Sequence, residues 1–324
     1  SYGLMIGPNA FRDCADLESV SFGAQLGSRT YDTDWEDPDP DEWYAVNEYA
    51  FYNCTSLSSV SLTANVEEGV MTTEGGEATE VVGFPMSTTL APYSFANCTS
   101  LETFEVPYNL VAFRDYCFAG SGLTSFELPY FAANDWGSLE VVAYGIFEGV
   151  FSDCTKLESF VSYGEFGSVM NVVDPVLGAY AFRGCTALKT VQFDDMYAIM
   201  DGAFQDCTAL ETVKINFVYK NIVSNATDGL LIIASNAFAD CAAITTLEIT
   251  GALQSISTDA FKNCTSVKNF TVPTSVTSIV SGAFSGWTAE QTITVPFANA
   301  EAVLGGWNSG WNGNATIVYG GAAA

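Results

Sequence analysis

The chain has 324 residues, enough for one elongated repeat domain or for about two ordinary ones. Thirty-eight Asp and Glu face ten Lys and Arg with no histidine, a formal charge of −28. That balance excludes nucleic acid and anionic membrane surfaces as partners, because almost nothing is present to neutralise phosphates. The missing histidine removes Ser–His–Asp and Cys–His nucleophiles, HExxH zinc sites and a histidine pH switch. An apolar content of 48% argues against disorder, and no run of eighteen apolar residues exists that would insert into a bilayer.

In chain order, one phrase keeps returning. It reads AFRDCADL at 10–17, AFYNCTSL at 50–57, SFANCTSL at 94–101 and, one residue short, CFAGSGL at 117–123. It continues as VFSDCTKL at 150–157, AFRGCTAL at 181–188, AFQDCTAL at 203–210, AFADCAAI at 237–244 and AFKNCTSV at 260–267. The tenth copy, AFSGWTAE at 283–290, keeps its phenylalanine but has neither the cysteine nor the leucine. The ten boxes are keyed on Phe11, Phe51, Phe95, Phe118, Phe151, Phe182, Phe204, Phe238, Phe261 and Phe284. Their closest spacing is 22 to 23 residues, and five units are longer by roughly 8 to 21.

Two further ladders keep the same register. Five residues before each Phe stands an apolar residue, from Ile6 and Val46 through Ile199 and Ile233 to Ile279. After each box comes an alternating stretch such as Leu210-x-x-Val213-x-Ile215, the pattern of a short strand with one face buried. Four of these stretches end in Pro107, Pro129, Pro273 or Pro296, which cannot donate a ladder hydrogen bond. No amphipathic helix of ten residues or more fits between them. The sequence therefore predicts a mostly-β solenoid of about ten coils, each a short strand, a tight turn, a second strand and a return. Stacking would place Phe on Phe and Leu on Leu, each burial worth about 1.5–3 kcal/mol. Eight of the nine cysteines share one slot, and a column of buried free thiols is expected there rather than a disulfide ladder. Cys117 lies outside that slot, where other units have Ala, and reads as a core substitution.

The unit Ile-x-x-x-Ala-Phe-x-x-Cys-Thr-x-Leu-x-x-Val-x-Ile/Val-Pro resembles the BspA-type leucine-rich repeat, as in Ile256–Pro273 and Ile199–Ile215. The resemblance runs from Ile6 to about Pro296, and its period falls in the leucine-rich-repeat range of about 20 to 29. It implies a secreted or cell-surface protein used for adhesion and protein binding. Residues 1–296 would then form the solenoid and 297–319 a C-terminal cap similar to that family's closing segment, with 320–324 a tail. Ser1 falls inside a repeat, so further chain is expected upstream.

The insertions span about 23–44, 63–88, 130–144, 163–176 and 216–231. All leave the coil after the second strand, so they project from one edge, which in repeat proteins is often the binding face. Their aromatics, Trp35, Trp43, Tyr44, Phe84, Tyr130, Trp136, Tyr163, Phe217 and Tyr219, are the candidate anchors for a protein or glycan ligand. The same rings would serve equally to fold back over the solenoid flank.

The first insertion carries seven carboxylates between Asp32 and Glu42. Asp32, Asp34, Glu36, Asp37, Asp39 and Asp41 are candidate calcium ligands, since clustered carboxylates suit a hard cation. A solvated, self-repelling loop accounts for them as well, and the Gly and terminal Glu of an EF-hand are absent. Asn225 is the sequon best placed for glycosylation in a eukaryotic host. No other cofactor is expected, and no catalytic motif is present. The reading is an extracellular or cell-surface recognition module for protein or glycan. Its rival is a coat or filament subunit that binds copies of itself.

Overall fold

The computed structural model describes residues 6–22, 44–62, 70–72, 78–80, 88–106, 110–128, 145–162, 176–218, 231–303 and 306–320. Their regular structure is almost entirely short strands. No α-helix occurs among them, and Ala300–Ala302 form a single 3-10 turn.

One parallel sheet runs the length of the stack, and facing it the strands that follow the boxes form a second, interrupted parallel layer. The first has nine short strands, from Tyr44–Val46 to Ser278–Ile279. Its register pairs the apolar ladder residue by residue: Val46 with Leu90, Leu90 with Phe113, and so on through Ile199, Ile233 and Ile256 to Ile279. Ile6 extends this ladder at one end and Trp307 at the other.

This second layer, the second sheet, is broken into three and holds the stretches that follow the boxes. Five strands, Ser125–Leu128, Ser159–Ser162, Thr190–Met196, Thr212–Phe217 and Thr246–Gly251, pair in sequence order. Ser19–Ser21 pairs with Ser59–Ser61 near one end, and Asn269–Thr271, Thr292–Val295 and Thr316–Tyr319 pair at the other. The strand of the closing segment therefore adds a turn to the stack, with Ile317 opposite Ile293. Alternation works as expected: Val213, Ile215 and Phe217 point inward while Lys214 is exposed.

Between the sheets lies the box turn. Two backbone positions in each turn are left-handed. In the seventh unit these are Gly202 and Asp206, with φ 61° and 63°, and Asp, Asn or Gly recurs at the second position because these residues reach that conformation most easily. The turn locks coil to coil through amides such as Phe51 N–H to Ser94 O (2.8 Å) and Phe204 N–H to Ala237 O (2.7 Å).

The phenylalanines form one continuous column. From Phe11 to Phe284 successive ring centroids lie 5.0 to 5.8 Å apart, with interplanar angles of 3° to 19°. Rings in register must be this nearly parallel, because each sits at the same place in its coil. Trp287 and Trp311 meet Phe284 edge-on and end the column.

The cysteines are free, and eight of the nine are buried; Cys14, in the first coil, is exposed. Each buried thiol in the shared slot donates to the Phe carbonyl of the preceding coil, as in Cys98 Sγ to Phe51 O (3.1 Å) and Cys241 Sγ to Phe204 O (3.0 Å). Burial pushes Cys54 up to about 11 and Cys98 and Cys154 up to about 12. The tenth unit solves the same problem differently. Trp287 stands in the cysteine slot and its indole N–H donates to Phe261 O at 2.8 Å. Cys117 is fully buried, in keeping with a core substitution.

Candidate functional site

Each coil has two connections, and they differ in kind. The box turn keeps nearly one length, the fourth unit alone being one residue shorter between its Phe and its Leu, and the same coil-to-coil amide bonds at the key Phe. The return from the second sheet to the first varies from one residue, between Met196 and Ala198, to twenty-six, between Ser61 and Thr88. Long returns also follow Ser21, Leu128, Ser162 and Phe217. Within the longest, Val70–Thr72 and Ala78–Glu80 pair antiparallel as a small hairpin.

Most of the sequence-derived site residues fall in those returns. Trp35, Trp43, Phe84, Tyr130, Trp136, Tyr163, Tyr219 and Asn225 lie outside the described residues, as do Asp32, Asp34, Glu36, Asp37, Asp39 and Asp41. Tyr44 opens a strand of the first sheet, its backbone paired with Thr89. Phe217 is a correction: it is 1% exposed and belongs to the core, not to the inserted edge. Its strand runs on past Ile215, and alternation carries Phe217 to the same inward face. Among the described residues, no group of three or more His, Cys, Asp or Glu is placed to hold a metal ion.

The opposite connection carries a feature that the sequence reading passed over. Two residues before the key Phe, the first left-handed position of the turn is Tyr in four units: Tyr49, Tyr93, Tyr116 and Tyr180, with φ between 54° and 57°. Elsewhere the slot holds Asn9, Gly149, Gly202, Asn236, Asp259 or Gly282. Tyrosine gains nothing from this conformation, so its backbone is strained where the other units use residues that fit.

The rings are ordered by what lies beside them. Tyr49 stacks on Tyr93 at 4.9 Å and Tyr93 on Tyr116 at 5.2 Å, all half-buried. Tyr116 lies over Gly149, where a Cβ would come within 2.2 Å of the ring, and Tyr180 lies over Gly202 in the same way at 2.7 Å. Both glycines are needed for this close approach as well as for their positive φ. The Tyr116 hydroxyl donates to Glu148 Oε1 at 2.7 Å, and burial, followed by that carboxylate, raises its pKa.

Arginines gather on the same turns. Arg12 sits 5.1 Å from the centroids of both Tyr49 and Tyr52, Arg114 is 4.8 Å from Phe147, and Arg183 is 5.7 Å from Tyr180. Three of the four arginines in the sequence thus lie over rings on one connection. The visible clue was the Tyr in YAF, YSF, YCF and YAF at 49–51, 93–95, 116–118 and 180–182.

Comparison with known proteins agrees with the repeat. The signature of the BspA type leucine rich repeat region matches in six copies, over residues 39–134, 77–166, 146–231 and 231–302. The chain belongs to the BspA-type leucine-rich-repeat family. Among solved structures it is similar to a leucine rich cell surface protein from Faecalibacterium prausnitzii, at 20% identity and a TM-score of 0.42, covering 98% of this chain and 76% of that one. A leucine-rich repeat protein from Bacteroides ovatus matches at 16% identity and a TM-score of 0.27, covering 97% and 87%. One from Eubacterium ventriosum matches at 18% and 0.22, covering 74% and 79%. No curated protein matches the chain.

Proposed function

We propose that the protein is a non-catalytic, extracellular or cell-surface recognition module, with the inserted returns as its variable ligand-binding edge. One observation carries this reading. Long segments depart repeatedly from the same connection of the coil, while the box turns vary by no more than one residue. Additions that recur at one place are presented together on one edge, and rigid coils behind them hold them in fixed order. The aromatic content of these segments suits a contact surface for protein or glycan. The family to which the chain belongs is a repeat scaffold, which fits binding better than chemistry.

The test is a binding comparison on a printed glycan array and a panel of purified extracellular proteins. The full chain is set against a variant whose residues 219–230 are replaced by a short Gly-Ser linker and another so treated at 130–144. Ligands held by the full chain should be lost in one or both variants while each still melts cooperatively. Retention of every ligand by both would overturn the reading.

A further inference from the structure

The second sheet ends in a strand that is paired on one side only. Thr316–Tyr319 lies beside Thr292–Val295, and no described strand lies beyond it. In a parallel ladder alternate residues turn their N–H and C=O to opposite sides. Thr316 donates its N–H to Gln291 O at 2.9 Å, so Ile317 and Tyr319 turn theirs to the outer side. Neither backbone has a hydrogen-bond partner there among the described residues.

Sheet edges are ordinarily guarded by lysine, proline or a bulge, and this strand has none of the three. Val318 and Tyr319 are instead 44% and 38% exposed, two of the four exposed large hydrophobic residues among those described, and they stand side by side on the edge. Gly320 then ends the strand with a φ of 82° and donates its N–H to Phe297 O at 2.7 Å, a bond to the paired side that leaves the outer side open.

Charge narrows what can approach. No charged side chain occurs from residue 302 to residue 324, and residues 261–324 hold Lys262 and Lys268 against Glu290 and Glu301, a net charge of zero. Residues 1–80 hold sixteen acids against Arg12 and Arg29, a net −14. The strand at the opposite end, Ser19–Ser21, follows the exposed Asp13, Asp16 and Glu18. Two copies of a chain at −28 repel wherever acidic surfaces meet, and the closing end is where they meet without that cost. A strongly charged partner of either sign finds nothing there to recognise.

We propose that the closing edge docks a second copy of itself, the two Thr316–Tyr319 strands pairing antiparallel about a twofold axis at Val318. The outward groups are self-complementary in that register. Ile317 exchanges both its N–H···O bonds with Tyr319 of the second copy, and Tyr319 exchanges its own with Ile317, so all four outward groups of each strand are satisfied. Val318 forms the close, non-hydrogen-bonded pair, its exposed side chain covered by its equivalent. Moving the axis to Ile317 would leave Tyr319 unmatched within the strand. The pairing is isologous and consumes both edges, so it stops at two copies. It uses neither the inserted returns nor the box-turn tyrosines, and the acidic ends point away from each other.

The experiment is sedimentation velocity of the full chain at concentrations up to about 1 mM, the weak end of specific association. A monomer–dimer equilibrium is expected. Tyr319→Pro removes an outward N–H that the fold does not use, and Val318→Lys sets two like charges on the axis. Each should raise the dimer dissociation constant at least tenfold while leaving the melting temperature unchanged. In a Cys14→Ser background, which removes the exposed native thiol, Val318→Cys should form a reducible dimer in air and the similarly exposed Val161→Cys should not. Replacing residues 219–230 should leave the dimer intact, which separates this edge from the inserted returns. The proposal is overturned if the chain stays monomeric throughout, if it assembles beyond two copies, or if both edge variants dimerise as the parent does. Failure of Val318→Cys to cross-link, or loss of the dimer with residues 219–230, would overturn it equally.

Discussion

The two connections of each coil follow opposite rules. At the box turn, every unit presents the same Phe and the same pair of left-handed residues, and amides bridge coil to coil at fixed distances. At the return, one unit closes with a single residue after Met196 and another takes twenty-six after Ser61. The difference follows from what passes through each place. The Phe column and the thiol-to-carbonyl ladder run through the box turn, so an insertion there would break register with both neighbours. The one change of length, a residue fewer in the fourth unit, falls after Phe118 and leaves that ring in the column. In the return the described buried residues, such as Leu231, Leu253 and Val276, lie just before the first-sheet strands, and lengthening a loop ahead of them costs little, about 0.6 kcal/mol for each doubling.

The largest predicted effect is a break in the column. Phe204 is fully buried between Phe182 and Phe238, and Phe204→Ala should cost about 3–5 kcal/mol in a denaturant melt. The next lies on the turn surface. Gly202→Ala combines a strained φ with a Cβ close to the Tyr180 ring, and should cost about 1–3 kcal/mol. Adding Tyr180→Asn should restore part of that loss, because the obstructing ring is gone; a strictly additive double mutant would contradict the packing described.

The thiol ladder gives a pH test. Unfolded thiols ionise near 9.0, while Cys98 and Cys154 in the fold are pushed up to about 12. Above pH 9 the folded chain keeps protons that the unfolded chain has lost, so its stability is full below that pH and falls above it. The slope is about 1.4 kcal/mol per pH unit for each such thiol. Alkaline melts between pH 9 and 11 should therefore steepen with the number of buried thiols and flatten in Cys98→Ala and Cys154→Ala. In the native protein at pH 8, a thiol reagent should modify Cys14 rapidly and the buried eight only on unfolding.

The sequence discloses most of the fold because its columns repeat in kind. Phe on Phe and Ile on Ile are visible as letters, and a period of 22 to 23 is enough to place them in register. Trp287 shows where letters mislead. It looks like the loss of a cysteine, yet its indole N–H bonds the carbonyl that a thiol would have taken. Phe217 shows the same for boundaries: its strand outlasts the usual unit, and alternation, not the insertion, decides where the ring goes. The tyrosine strip escaped because its slot holds Tyr, Asn, Asp and Gly, which share a backbone angle rather than a chemistry. The arginines above it come from different positions of the unit, Arg114 before the key Phe and Arg183 after it, and only the stacked coils bring them onto one connection.

The smallest predicted effect tests the account most directly. Replacing residues 219–230, between the strands ending at Phe217 and beginning at Ile232, with a short Gly-Ser linker alters only a return. The account predicts a single cooperative melt within about 0.5 kcal/mol of the parent chain. A loss as large as that of Phe204→Ala would contradict it, because the fold would then depend on the length of the return rather than on the columns.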